Sequence, residues 1–171
     1  EFLTTYSWAF MVILVMIGAL AYFGVLNPDR FLPERCSIGP EFSCDEHILS
    51  AGGYNRSSGE MRVVLSNQVG DDITNATVEE VSWDGESGYD GSAECTFNRT
   101  NGTPIDWSTD IIRAGEQLEL RCNNMPTQGF SAEGSKLAVD VGMQYRPQGN
   151  EYKSSVFAEV FTTVNEDVEF N

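Results

Sequence analysis

The polarity pattern divides the chain into two stretches of opposite character. From Phe2 to Pro28 no side chain carries a charge, and Trp8 to Leu26 is apolar at nearly every position. That run approaches the roughly 20 residues a membrane-length helix needs. Its residues favour a helix over 1–26, with Gly18 and Gly24 as the weak positions and Pro28 as the stop. Such a segment requires apolar surroundings, either lipid or copies of itself. Gly18, Ala21 and Gly24, with Ala9 and Ala19, leave shallow places where neighbouring helices approach closely.

A linker follows, "NPDRFLPERCSIGPEFSCDEH", in which Pro33 and Pro40 forbid a long helix. Residues 27–47 therefore read as a collar. Beyond residue 48 short β-rich runs alternate with turn residues: 61–68, 76–83, 93–98, 116–123, 136–146 and 152–164. In "EQLELRCN" the apolar positions are Leu118, Leu120 and Cys122, the period-2 mark of a strand with one buried face. Strands at this spacing predict an immunoglobulin-like β-sandwich over 48–171. The expected class is thus α+β, a long hydrophobic N-terminal helix followed by a sandwich head.

Charge and cysteine content narrow the setting. The net charge is −16, and every Lys and Arg, with every acid except Glu1, lies beyond Pro28. Phosphate backbones require clustered cations, so nucleic acid is excluded as a partner. The acidity itself reads as solubility through mutual repulsion, or as adaptation to a salty or acidic habitat or loose binding of cations. Four cysteines without a C-x-x-C pair, beside the single histidine His47, disfavour zinc and favour disulfides. Cys36 with Cys44 across "SIGPEFS", and Cys95 with Cys122 between two strands, is the preferred one of three connectivities. Asn55, Asn75, Asn98 and Asn101 each open an N-x-S/T sequon, the last weakened by Pro104 behind it. Paired cysteines and sequons together place the head outside the cell.

No catalytic chemistry emerges. No nucleophile has a base at motif spacing, and neither a phosphate-binding Gly loop nor a metal-binding helix motif occurs, so an enzyme and a cofactor are not expected. "DGESGYDG", Asp84 to Gly91, lacks the closing Glu of a calcium loop, because Cys95 holds that place, and reads as a strand connection.

With the head outside, Glu1 faces the cytoplasm, yet the flanking cations Arg30 and Arg35 lie on the outer side. A short basic leader, removed while the apolar helix is kept, resolves that inversion. "EFLTTYSWAFMVILVMIGALAYFGVLNPDRFLPERC" resembles the archaeal type IV pilins at Glu1, Phe2, Leu3, Thr5, Tyr6, Trp8 and Ala9 and through "GALAYFGVLNP" and "FLPERC". The resemblance covers roughly residues 1–44. It implies a structural subunit of an extracellular filament serving surface adhesion, made as a membrane precursor, cleaved by a leader peptidase and polymerised by assembly machinery. It also implies that identical subunits bundle their helices through Trp8, Phe10, Ile13, Ile17, Gly18, Ala21 and Gly24, with Glu1 registering each subunit on its neighbour. The alternative is a membrane-anchored surface protein, or a minor pilin, whose sandwich binds a ligand or a cell.

Overall fold

The computed structural model describes residues 2–22, 32–51, 58–83, 86–87, 94–126 and 134–165. It divides into two compact units, Glu1–Pro33 and Glu34–Asn171. The first holds helix α1, Phe2–Tyr22. Among the described residues the second holds nine strands: β1 Arg35–Ile38, β2 Phe42–Ser50, β3 Ser58–Asn67, β4 Ile73–Trp83, β5 Glu86–Ser87, β6 Glu94–Asn98, β7 Gln117–Pro126, β8 Lys136–Pro147 and β9 Ser154–Asn165.

Two sheets enclose one core. The first runs β5-β4-β8-β9-β1 and the second β2-β3-β7-β6, and a short parallel pairing of Leu49 with Val164 and Ser50 with Asn165 joins them at β2 and β9. The alternation explains the register. Leu137, Val139, Val141, Met143 and Tyr145 of β8 face inward beside Val156, Ala158, Val160 and Val164 of β9. Met61, Val63 and Leu65 of β3 meet Leu118, Leu120 and Cys122 of β7. Each such side chain removed from water stabilises the fold by about 1.5–3 kcal/mol. Phe42 closes one end of the core edge-to-face on Tyr145, ring centroids 5.3 Å apart.

Three expectations are corrected. The class is β rather than α+β: the buried core is drawn from the strands and their loops, and the helix supplies none of it. The membrane-spanning reading of the opening segment is also overturned, since among the described residues no helix is long and apolar enough to cross a membrane. Thr4, Thr5 and Ser7 occupy the first turns of α1, and within the described residues the apolar run of the helix covers Trp8 to Tyr22, short of the roughly 20 residues a bilayer demands. Finally, the immunoglobulin-like frame is not the one observed. That frame places its disulfide across the two sheets, whereas Cys95 and Cys122 lie directly opposite each other on β6 and β7 of one sheet.

The segment read as a collar also differs. From Arg35 onward it is sheet, with Cys36 in β1 against Val160 of β9 and Cys44 in β2 against Leu65 of β3. The Cys36–Cys44 disulfide therefore ties the two sheets together where the chain passes from one to the other. Of the loop Asp84–Gly91, only β5 lies within the described residues.

Candidate functional site

Residues of three kinds were singled out: those of the helix, the cysteines and the sequon asparagines. From Tyr6 onward the large apolar side chains of α1 are exposed on every side. Trp8 is 69% exposed, Phe10 64%, Ile13 53% and Ile17 56%. A Cβ added at Gly18 meets nothing within 4 Å, and Ala21 is exposed as well. Glu1 and Gly24 lie outside the described residues. The helix thus presents the surface that packing against other helices requires, with small residues at 18, 19 and 21 where backbones approach.

Both disulfides form, Cys36–Cys44 with its Cα atoms 6.0 Å apart and Cys95–Cys122 with its Cα atoms 4.0 Å apart. His47 lies beside the first pair. With the sulfurs bonded to each other neither is a thiolate, so the trio has no pair of ligands for a metal ion.

The sequons occupy different surroundings. Asn55 lies outside the described residues. Asn75 is half-buried in β4, opposite Arg146 of β8. Asn98 is buried at the end of β6, opposite Glu119. Asn101 is exposed at the tip of the turn that follows.

Two polar groups escaped the sequence reading. The first is Glu119, buried although it projects from the face of β7 opposite the core. Arg62 of β3 donates to it at 2.9 Å and Arg121, two residues along the same face, at 3.1 Å. Arg121 also lies 3.7 Å from Glu60, whose carboxyl is pushed up by burial, with Arg121 working against that rise. The spacing of Glu119 and Arg121 was the available signal. Glu119→Ala leaves two half-buried guanidiniums without their shared acceptor, and about 2–3 kcal/mol of stability is expected to be lost in urea unfolding, at or below the low end for broken buried pairs because both arginines reach water. The second is Asn67, whose Nδ2 donates to the carbonyls of Asp71 and Ile112 and whose Oδ1 accepts from Val69 N–H, pinning two loops at once.

A bulge in β2 between Cys44 and Glu46 turns Asp45 toward the outer face. There it accepts from Ser66 of β3, from Gln117 of β7 at 2.7 Å and from Ser43 at 3.3 Å. The Ser66 bond, then that of Gln117, hold its carboxyl below the ordinary aspartate range. A depressed folded-state pKa contributes stability that is present above the unfolded value, about 3.9, and lost as pH falls through the folded one. Asp45→Asn should therefore lower the thermal midpoint near pH 6 and converge on the parent protein in strong acid; a gap that persists unchanged there contradicts the assignment. Glu34, held down mainly by the Thr163 hydroxyl at 2.5 Å, acts in the same sense.

Comparison with known proteins adds little. No family model matches the chain, and no curated protein matches it. Among solved structures, the GAE domain of yeast GGA1 is similar at a TM-score of 0.31 with 11% identity, over 78% of this chain and 94% of that one. The GAE domain of GGA2p from Saccharomyces cerevisiae gives 0.29 and 12%, over 75% and 88% respectively. Similarity at that level carries no function across to this chain.

Proposed function

We propose that the chain is the structural subunit of an extracellular filament, polymerised by bundling of helix α1 with the same helix of identical subunits. The single observation that carries this reading is a helix whose described apolar side chains are exposed all round, on a chain whose other unit has its own buried core. A helix of that kind is stable in water only when something covers it, at about 25 cal/mol for each Å² of apolar surface removed. Copies of itself satisfy all its sides at once, and the small residues among the bulky ones allow close approach. The acidic heads then form the outer layer, kept soluble by repulsion. The resemblance of residues 1–44 to archaeal type IV pilins supports the same reading, including adhesion as the filament's service.

Sedimentation after detergent removal tests it. The full chain is expected to form polymers containing only itself, and a version beginning at Glu34 to stay monomeric with its thermal transition intact. A full chain that remains a monomer and partitions one by one into lipid vesicles would overturn the proposal in favour of a surface anchor.

A further inference from the structure

The four sequons share the N-x-S/T pattern, and as sequence the Asn101 one is the weakest, since Pro104 follows it; as structure they rank differently. After β6 the chain reverses in a tight turn: Gly102 N–H donates to Arg99 O at 2.8 Å, Arg99 N–H donates to Thr103 O at 2.8 Å, and Ile105 N–H donates to Phe97 O at 3.1 Å. Gly102 adopts φ 83°, the left-handed position that follows a turn of this kind and that glycine fills without strain. Asn101, Gly102 and Thr103, the whole sequon, are exposed at this tip. The Asn101 Oδ1 accepts from Thr103 N–H at 3.0 Å and from the Thr103 hydroxyl at 2.7 Å. With the carboxamide oxygen engaged by its own threonine, the Nδ2 amide group is the remaining polar group of an exposed side chain.

The other described sequons are obstructed. Asn98 is 6% exposed, and its backbone is bridged on one side by Glu119 and on the other by Pro104. A sugar on its amide requires that buried side chain to leave the fold. Asn75 and Thr77 lie in the β4–β8 ladder, both half-buried, with the Thr77 hydroxyl donating to Glu79. Beside Asn101, in contrast, opens a polar cleft of about 450 Å³ bordered by Ser66, Arg99, Thr100, Glu116 and Gln117. Hydroxyls, a carboxamide and an Arg99–Glu116 ion pair at 2.7 Å offer both donors and acceptors, the chemistry that sugar hydroxyls match.

We infer that, among the described sequons, Asn101 is the one that carries an N-linked glycan on the folded head, its first sugar resting in the cleft beside it. For its cellular setting the inference rests on the extracellular reading above. The donor is a lipid-pyrophosphate-linked oligosaccharide. The Asn101 Nδ2 forms a bond to the anomeric carbon, the bond from that carbon to the pyrophosphate oxygen breaks, the lipid pyrophosphate leaves with the electron pair, and the amide proton passes to a base on the transferring enzyme. No oxidation is involved.

Trypsin isolates the site, because cleavage after Arg99 and Arg113 releases Thr100–Arg113 with Asn101 as its one sequon. The full chain, made in an archaeal cell with an N-glycosylation pathway, should yield that peptide with a glycan mass. Asn101→Gln and Thr103→Ala should reduce its occupancy at least tenfold, and Asn98→Gln should leave it unchanged. A bare Thr100–Arg113 on a chain that proteases reach from outside the cell, with sugar elsewhere or nowhere, overturns the inference while the extracellular reading stands. If the chain stays inside the cell, the extracellular reading falls. The folded full chain in detergent, given a purified single-subunit oligosaccharyltransferase and its lipid-linked donor, then decides: transfer to Asn101 supports the inference and no transfer there refutes it.

Discussion

Ile13→Asp is expected to abolish polymerisation while leaving the head folded. Ile13 lies mid-helix among Phe10, Leu14 and Ile17, all exposed in the single chain and all to be buried in the bundle proposed above. An unpaired carboxylate in such a bundle costs several kcal/mol. Even about 3 kcal/mol per subunit weakens each association more than a hundredfold, and a filament multiplies that loss at every step. The head has its own core, contributed by the strands and loops from Phe42 onward, so its cooperative unfolding should be unchanged. Ile13→Leu, which keeps volume and polarity, should polymerise like the parent. Pelleting assays and thermal unfolding of the two variants, read together, check both halves; a pelleting Ile13→Asp chain would remove the helix from the assembly.

Breaking the disulfides should have the largest effect on the head, and the two should differ. In the chain-entropy account the cost grows with the length of chain closed. Cys95–Cys122 spans a sequence separation of 27 and Cys36–Cys44 one of 8, giving about 3.5 and about 2.5 kcal/mol respectively. The paired Cys→Ala variants, compared by urea denaturation, should fall in that order. Their local consequences should be reversed. Cys95 and Cys122 face each other within a ladder that backbone pairing already holds, from Glu94 with Asn123 to Asn98 with Glu119. Cys36 belongs to a strand of four residues that, among the described residues, pairs at its β9 edge alone, so its loss should free the β1 amides to exchange hydrogen well before the rest of the head unfolds. Equal exchange in both variants would mean that the sheet junction is held by something other than Cys36–Cys44.

How far the sequence could be read depended on how local each cause was. Alternation is local, and Leu118, Leu120 and Cys122 announced the inward face of β7 without any knowledge of its partner. The strands β3, β4, β6, β8 and β9 were visible in the same way. β1 and β2 were not, because Pro33, Pro40 and the acidic run of "CDEH" hide any alternation; they are strands because β9 and β3 pair with them. Cysteine spacing pointed to the pairings but not to their roles, since which disulfide joins two sheets depends on sheet membership, a property of long-range register. Glu119 illustrates the same limit for a single residue: its position in the alternation points to water, and only the convergence of Arg62 and Arg121 buries it. Among the sequons the signal visible in sequence, Pro104, counts against Asn101, yet in the fold Asn98 is enclosed by strand ends and Asn101 stands on a turn. The helix was read as an assembly helix that first spans a membrane, and the spanning part could not be judged from sequence, because an apolar run looks the same whether lipid or protein is to cover it.

The central claim is that α1 forms the inside of a polymer and the sheets its outside. Electron microscopy with helical averaging, applied to material sheared from cells making this protein, tests it most directly. The account predicts thin filaments with a core of closely packed helices, Gly18 and Ala21 at the points of closest approach, beneath a layer of β-rich heads. Filaments lacking this chain, or the chain found only as single copies on membranes, would contradict it.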